Sequence, residues 1–275
     1  MQLNTYMFKI HVISDLRLGF NEFADPVDET IPDVDLVVIA GNIGKAKRSA
    51  LYVETLAKKY PDIQFIWLWG ESELYFPGMP KFMGELEDSM KVRVKNTDFP
   101  KNIHWCHDDR MFVTLRTGQE IDVFCSYGFP RIMSYTGDWE DTHWFKYYAV
   151  EMQYDTLDFA FKPKETSNVQ HGPVPVWATK EWINATHDRM WEKIRVWERE
   201  YTGFKLLVTH INPYRDTRCE NQVVTPYRIH LNNMAWVTSD TPTYVNFLGG
   251  KLIANPGRGI DCRSKVYEVD TGQLF

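Results

Sequence analysis

Four stretches of this chain end in the same way, and the residues at those ends have the types that do chemistry. Phe8 to Ile13 is a largely apolar run that stops at Ser14-Asp15-Leu16-Arg17. Leu36 to Ala40 runs into Gly41-Asn42, Ile63 to Trp69 into Gly70-Glu71-Ser72-Glu73, and Phe204 to Val208 into Thr209-His210. An apolar strand that ends in a carboxylate, carboxamide or imidazole delivers that group to the C-terminal edge of a sheet. Open α/β folds build their sites on that edge. Ligand-type side chains gathered there make a binding or metal centre the chemistry to look for.

The elements that must hold these residues follow from the pattern around them. Phe20 to Thr30 is acidic and reads as a loop over the sheet edge. Ala46 to Tyr60 is predicted as a helix, because Ala50, Val53, Ala57 and Tyr60 recur at three- and four-residue intervals and form one apolar face. Pro61-Asp62 closes it. The first part of the chain therefore reads β-loop-β-α-β, the signature of a parallel α/β sheet. A charged helical segment is predicted over Lys81 to Lys91, and two antiparallel strands over Arg110 to Leu115 and Glu120 to Ser126. Pro130 to about Ala178 is irregular and aromatic, long enough to be an insertion or a functional segment. Thr179 to Tyr201 is the longest predicted helix, with Ile183, His187, Met190, Ile194, Trp197 and Tyr201 along one stripe, on which His187 reads as a packed histidine. Short strands are predicted over Tyr244 to Leu248, Lys251 to Ala254 and Lys265 to Val269. No repeat or linker divides the chain, so residues 1–275 are expected to form one domain.

Composition narrows the function classes. The net charge of −6 argues against a dedicated nucleic-acid binder, which carries a basic stripe. Cys106, Cys125, Cys219 and Cys262 lie far apart without a CxxC pair, which argues against a zinc ribbon and suits reduced thiols in a cytoplasmic setting. No apolar run approaches the ~20 residues of a membrane span, and the start of the chain lacks the features of a signal peptide. Ten Trp, fourteen Tyr and sixteen Phe are expected to fill an aromatic core, with a protein-partner surface as the sharper alternative.

In order and spacing the strand tips resemble the calcineurin-like metallophosphoesterases, whose pattern is D-x-H, G-D, G-N-H-[D/E], a lone His and G-H-x-H. Here the pieces read Asp15-Leu16-Arg17, Gly41-Asn42, Gly70-Glu71-Ser72-Glu73, Thr209-His210 and Ser239-Asp240-Thr241. THINP resembles the family's T-H-x-x-P, and GGKLIANPGRG its glycine-rich strand and NPxG turn. The likeness runs from Lys9 to about Gly259. It implies a four-layer α/β/β/α sandwich of two mixed sheets. It also implies two divalent cations clamping a phosphoryl group and activating a water.

Compared position by position, most of that machinery is replaced. Asp15 and His210 are kept. Arg17 stands where a ligating His belongs, and a guanidinium cannot coordinate a metal. Asn42 replaces the bridging carboxylate, Glu71 the ligating Asn, and Ser72 the catalytic His. Glu73 is kept beside it, while Ser239 and Thr241 stand where two more histidines belong. The resemblance therefore implies a pseudoenzyme that binds or scaffolds, with Arg17 neutralising Asp15 and Glu71. One alternative is a rewired phosphoesterase holding a single Mn²⁺ or Mg²⁺ on Asp15, Asn42, Glu71 and His210. Another is a metal-free binder of phosphate or a nucleotide using Arg17, Asn42, Ser239, Asp240, Thr241 and the turn around Arg258. The expected partners are thus a protein at the aromatic surface or a phosphorylated small molecule, with neither a membrane nor a nucleic acid.

Overall fold

The computed structural model of the chain describes residues 7–16, 18, 30–44, 46–70, 73, 90, 92–128, 161–163, 176–178, 180–200, 203–210, 234–239, 245–247, 250–254 and 264–270. Arg17, Glu71, Ser72, Asp240, Thr241 and Arg258 lie outside these residues. So do most of the segments 81–91 and 130–178.

The apolar run at the start forms β1 (Met7–Ile13). Its first half alternates, with Met7 and Lys9 outward and Phe8 and Ile10 inward, and its second half is buried throughout. That change from alternation to continuous burial marks a strand covered on both faces. Next come β2 (Leu36–Ile39), helix α1 (Ala46–Lys59), β3 (Gln64–Trp67) and β4 (Ile103–Trp105). A hairpin follows, made of β5 (Asp109–Thr114) and β6 (Glu120–Ser126). Two three-residue strands, β7 (Phe161–Pro163) and β8 (Val176–Ala178), pair with each other within the segment read as irregular. Helix α2 (Lys180–Glu200) leads to β9 (Lys205–Thr209), β10 (Met234–Thr238), β11 (Val245–Phe247), β12 (Gly250–Ala254) and β13 (Ser264–Asp270).

Two mixed sheets result. The first has the order β13-β1-β2-β3-β4, parallel except where β13 runs against β1. The second has the order β11-β12-β10-β9-β6-β5, parallel in its centre and antiparallel at both edges. Phe8, Ile10, Val12, Leu36, Val38 and Ile66 from the first share one apolar cluster with Val123, Cys125, Leu206, Val208, Ala235 and Val237 from the second. The opposite face of the first sheet, with Val37, Ile39, Phe65 and Trp67, packs on Ala50, Val53, Leu56 and Ala57 of α1. The opposite face of the second, with Phe124, Leu207, Met234 and Trp236, packs on Met190, Trp191, Ile194 and Trp197 of α2. His187 is buried on this stripe, its ring beside Trp191.

Side chains set several boundaries. The Asn102 amide donates to the carbonyls of Ala57, Tyr60 and Ile63 beyond the end of α1, meeting acceptors that a helix C-terminus leaves open. Lys205, itself buried, donates to Trp197 O and Glu198 O at the last turn of α2. Beside it, fully buried Asp122 takes a two-pronged bond from Arg110 and a third from the Trp197 indole.

His11 gives the fold a pH dependence. Its ring is 3% exposed, Nδ1 meets no partner among the described residues, and burial lowers its pKa to about 4. Since the unfolded chain binds this proton more readily, His11 stabilises the fold fully at pH 7. That stability is lost as pH falls from about 6.5 towards 4, at most about 3 kcal/mol. Denaturant melts at both pH values should show a larger acid loss in the parent than in His11→Leu. Equal losses would remove His11 from the account.

Candidate functional site

The strand tips meet where expected, at the C-terminal edge of the parallel strands. β1 ends at Ser14-Asp15 and β2 at Gly41-Asn42, and both turns use left-handed backbone: φ is 56° at Asp15, 93° at Gly41 and 57° at Asn42. Asp and Asn are among the few side-chain-bearing residues that enter this region readily. Asp15 N–H donates to Gly41 O and Leu18 N–H to Ile43 O, so the two turns run side by side.

This arrangement brings Asn42 against Asp15. Asn42 Nδ2 donates to Asp15 Oδ1 at 3.0 Å, and Ser14 Oγ donates to Asp15 Oδ2 at 2.6 Å. His210, just past β9, is 3% exposed and lies over the same turns. Its Nδ1 is 2.7 Å from Ala40 O and 2.8 Å from Ser239 Oγ. A carbonyl only accepts, so the ring proton sits on Nδ1 and the lone pair on Nε2. Ser239 Oγ donates to His210 O, and the Tyr127 ring packs against the imidazole at 5.5 Å between centroids.

Two glycines allow this closeness. A Cβ on Gly41 would lie 2.6 Å from Gly70 N and 2.7 Å from His210 Nδ1; one on Gly70 would lie 2.6 Å from both Asn42 N and Oδ1. Asp15, Asn42 and His210 therefore meet around two residues that have no side chain.

Glu73 gathers backbone N–H groups from two neighbouring turns. It is fully buried, and its carboxylate accepts from Gly70 N (2.8 Å), Asn42 N (2.9 Å), Ile43 N (2.7 Å) and Ser49 Oγ (2.8 Å), with Gly44 N more distant at 3.4 Å. Burial raises its pKa, and the bonds from Gly70, Ser49 and Ile43 work against that shift. Glu73 ties the turn after β2 to the turn after β3. The reach back to the N–H three residues earlier has the spacing of a capping-box return bond, a signal present in the sequence.

Among the described residues, the donors at these strand tips fall short of the several carboxylates and imidazoles that a pair of cations takes. Asn42 turns an N–H to Asp15 instead of adding a second carboxylate, and with Nδ1 of His210 held by oxygens only its Nε2 is left as a ligand atom. Among the described residues no three His, Cys, Asp or Glu side chains gather closely enough to hold a metal ion. Ser239, named as a substrate contact, is fully buried against His210. Among the described residues no helix is long and apolar enough to cross a membrane.

No family model matches the chain, and no curated protein does. Among solved structures it is similar to the phosphopantetheinyl hydrolase PptH from Mycobacterium tuberculosis, with a TM-score of 0.53 and 16% identity over 90% of this chain and 88% of that one. At such identity the likeness concerns the fold.

Proposed function

We propose that this chain is a metallophosphoesterase-like protein of four-layer α/β/β/α architecture that has given up its dinuclear centre and acts by binding rather than hydrolysis. The order of the apolar clusters, α1 on one sheet, sheet on sheet, and the second sheet on α2, supports the architecture. So does the likeness to PptH, whose own activity is a property of that protein. One observation carries the functional reading. Asn42, at the position of the bridging carboxylate, donates its amide to Asp15, so the site satisfies itself by hydrogen bonds in place of cations. What it binds would be a protein partner or a phosphorylated small molecule.

The test is a thermal melt with chelator and with millimolar Mn²⁺. The parent should melt at one temperature in both. Asn42→Asp sets two carboxylates against each other, which costs stability until a cation or a proton separates them. That variant should melt lower in chelator and recover with Mn²⁺. A parent destabilised by chelator would overturn the proposal in favour of a single Mn²⁺ or Mg²⁺ held by Asp15, Asn42, Glu71 and His210.

A further inference from the structure

Two cysteines from different sheets meet between the layers. Cys106 directly follows β4 at the edge of the first sheet, and Cys125 lies in β6 of the second. Both are free thiols in the shared core, Cys106 6% exposed and Cys125 fully buried. Cys106 Sγ donates to Asp109 O at 3.2 Å, and Asp109 pairs directly opposite Cys125 across β5 and β6. The Cys106 thiol thus reaches the backbone directly opposite Cys125, and the two side chains share one apolar cluster. Cys106 also lines a cavity of about 750 Å³ with Trp105, His107, Asp108 and Lys193, which brings a small oxidant up to this residue. Cys125 lies behind it.

We propose that Cys106 and Cys125 are a peroxide-responsive dithiol that closes to a disulfide, stapling the two sheets together beside the candidate site. The Cys106 thiolate attacks a peroxide oxygen and the O–O bond breaks. The departing hydroxide takes up the thiol proton as water, and Cys106 becomes a sulfenic acid. Cys125 sulfur then attacks Cys106 sulfur, the S–S bond forms, and the S–O bond breaks. A second water leaves with the Cys125 proton. Two thiols lose two electrons and two protons, and one hydrogen peroxide becomes two waters. Cys106 lines the cavity and Cys125 is fully buried, so Cys106 is the thiol an oxidant meets first; burial also raises the pKa of Cys125. The staple would reach the site through the next residue. Ser126 O accepts from His210 N–H at 3.3 Å, and Ser126 Oγ donates to Asp108 Oδ1.

The full chain would be treated with equimolar hydrogen peroxide, denatured, alkylated and digested without reduction for peptide mass mapping. The expected result is one linked pair carrying Cys106 and Cys125, two hydrogens lighter than the separate peptides. A raised melting temperature should accompany it, and dithiothreitol should reverse both changes. Cys125→Ala should lose the link and yield Cys106 as a sulfenic or higher acid. Parent protein in which both thiols are alkylated after peroxide would overturn the proposal. So would Cys106 driven to a sulfinic acid without a link, or one joined to Cys219 or Cys262.

Discussion

Replacing Glu73 by alanine is expected to destabilise the protein by about 3–5 kcal/mol, the largest single effect at the site. The carboxylate is the shared acceptor for three short backbone N–H bonds and the Ser49 hydroxyl, all buried. Each buried donor left without an acceptor costs about 1–3 kcal/mol, and water entering the space that the side chain vacates recovers part of the sum. Glu73→Gln should fall between, since one amide oxygen still accepts while the NH₂ faces donors. Urea melts of the three proteins give the ranking. An alanine variant within about 1 kcal/mol of the parent would mean that Glu73 does not hold the two turns together.

Gly41→Ala should cost about 2–5 kcal/mol and disturb the site directly. Left-handed backbone costs a residue with a Cβ about 1–2 kcal/mol, and overpacking adds about 1–3. The new methyl would meet the Gly70 backbone and the His210 ring at distances that real Cβ atoms do not tolerate. Because Gly70 is backbone on the neighbouring turn, the strain has to move His210 or part the turns. The His210 imidazole resonances should shift in the NMR spectrum together with the loss of stability. Stability within about 1 kcal/mol of the parent and an unshifted imidazole would show that the three strand tips are not packed around this glycine.

Much of this arrangement was legible beforehand, for local reasons. β1, β2, β3, β6, β9 and both helices carry strong apolar patterns bounded by Pro, Gly or polar residues, and the structure has them within a residue or two of the predicted limits. Asp15, Asn42 and His210 were legible because each lies within three residues of the end of such a strand. β4 and β10 were missed. Ile103–Trp105 is three residues of mixed character, an edge strand made by pairing with β3 rather than by its own pattern. Met234–Thr238 is buried throughout between β9 and β12, so it shows no alternation, and a five-residue buried run does not distinguish a strand from a turn of buried helix. The role of Glu73 was hidden for another reason. The return bond to Gly70 N–H had a spacing signal, while the bonds from Asn42 N–H, Ile43 N–H and the Ser49 hydroxyl come from a distant part of the chain and leave no trace in residue spacing. Cys106 and Cys125 come to one apolar cluster from two sheets, and sequence spacing says nothing of how sheets stack.

Under the proposed function, the Asn42–Asp15 hydrogen bond stands where a pair of cations would otherwise sit. Metal content by elemental analysis after Mn²⁺ loading and desalting, paired with a p-nitrophenyl phosphate assay, tests it most directly. The proposed function predicts no retained manganese and no turnover. Two metal ions per chain with phosphatase activity would contradict it, and so would one ion per chain with turnover lost in Glu71→Gln.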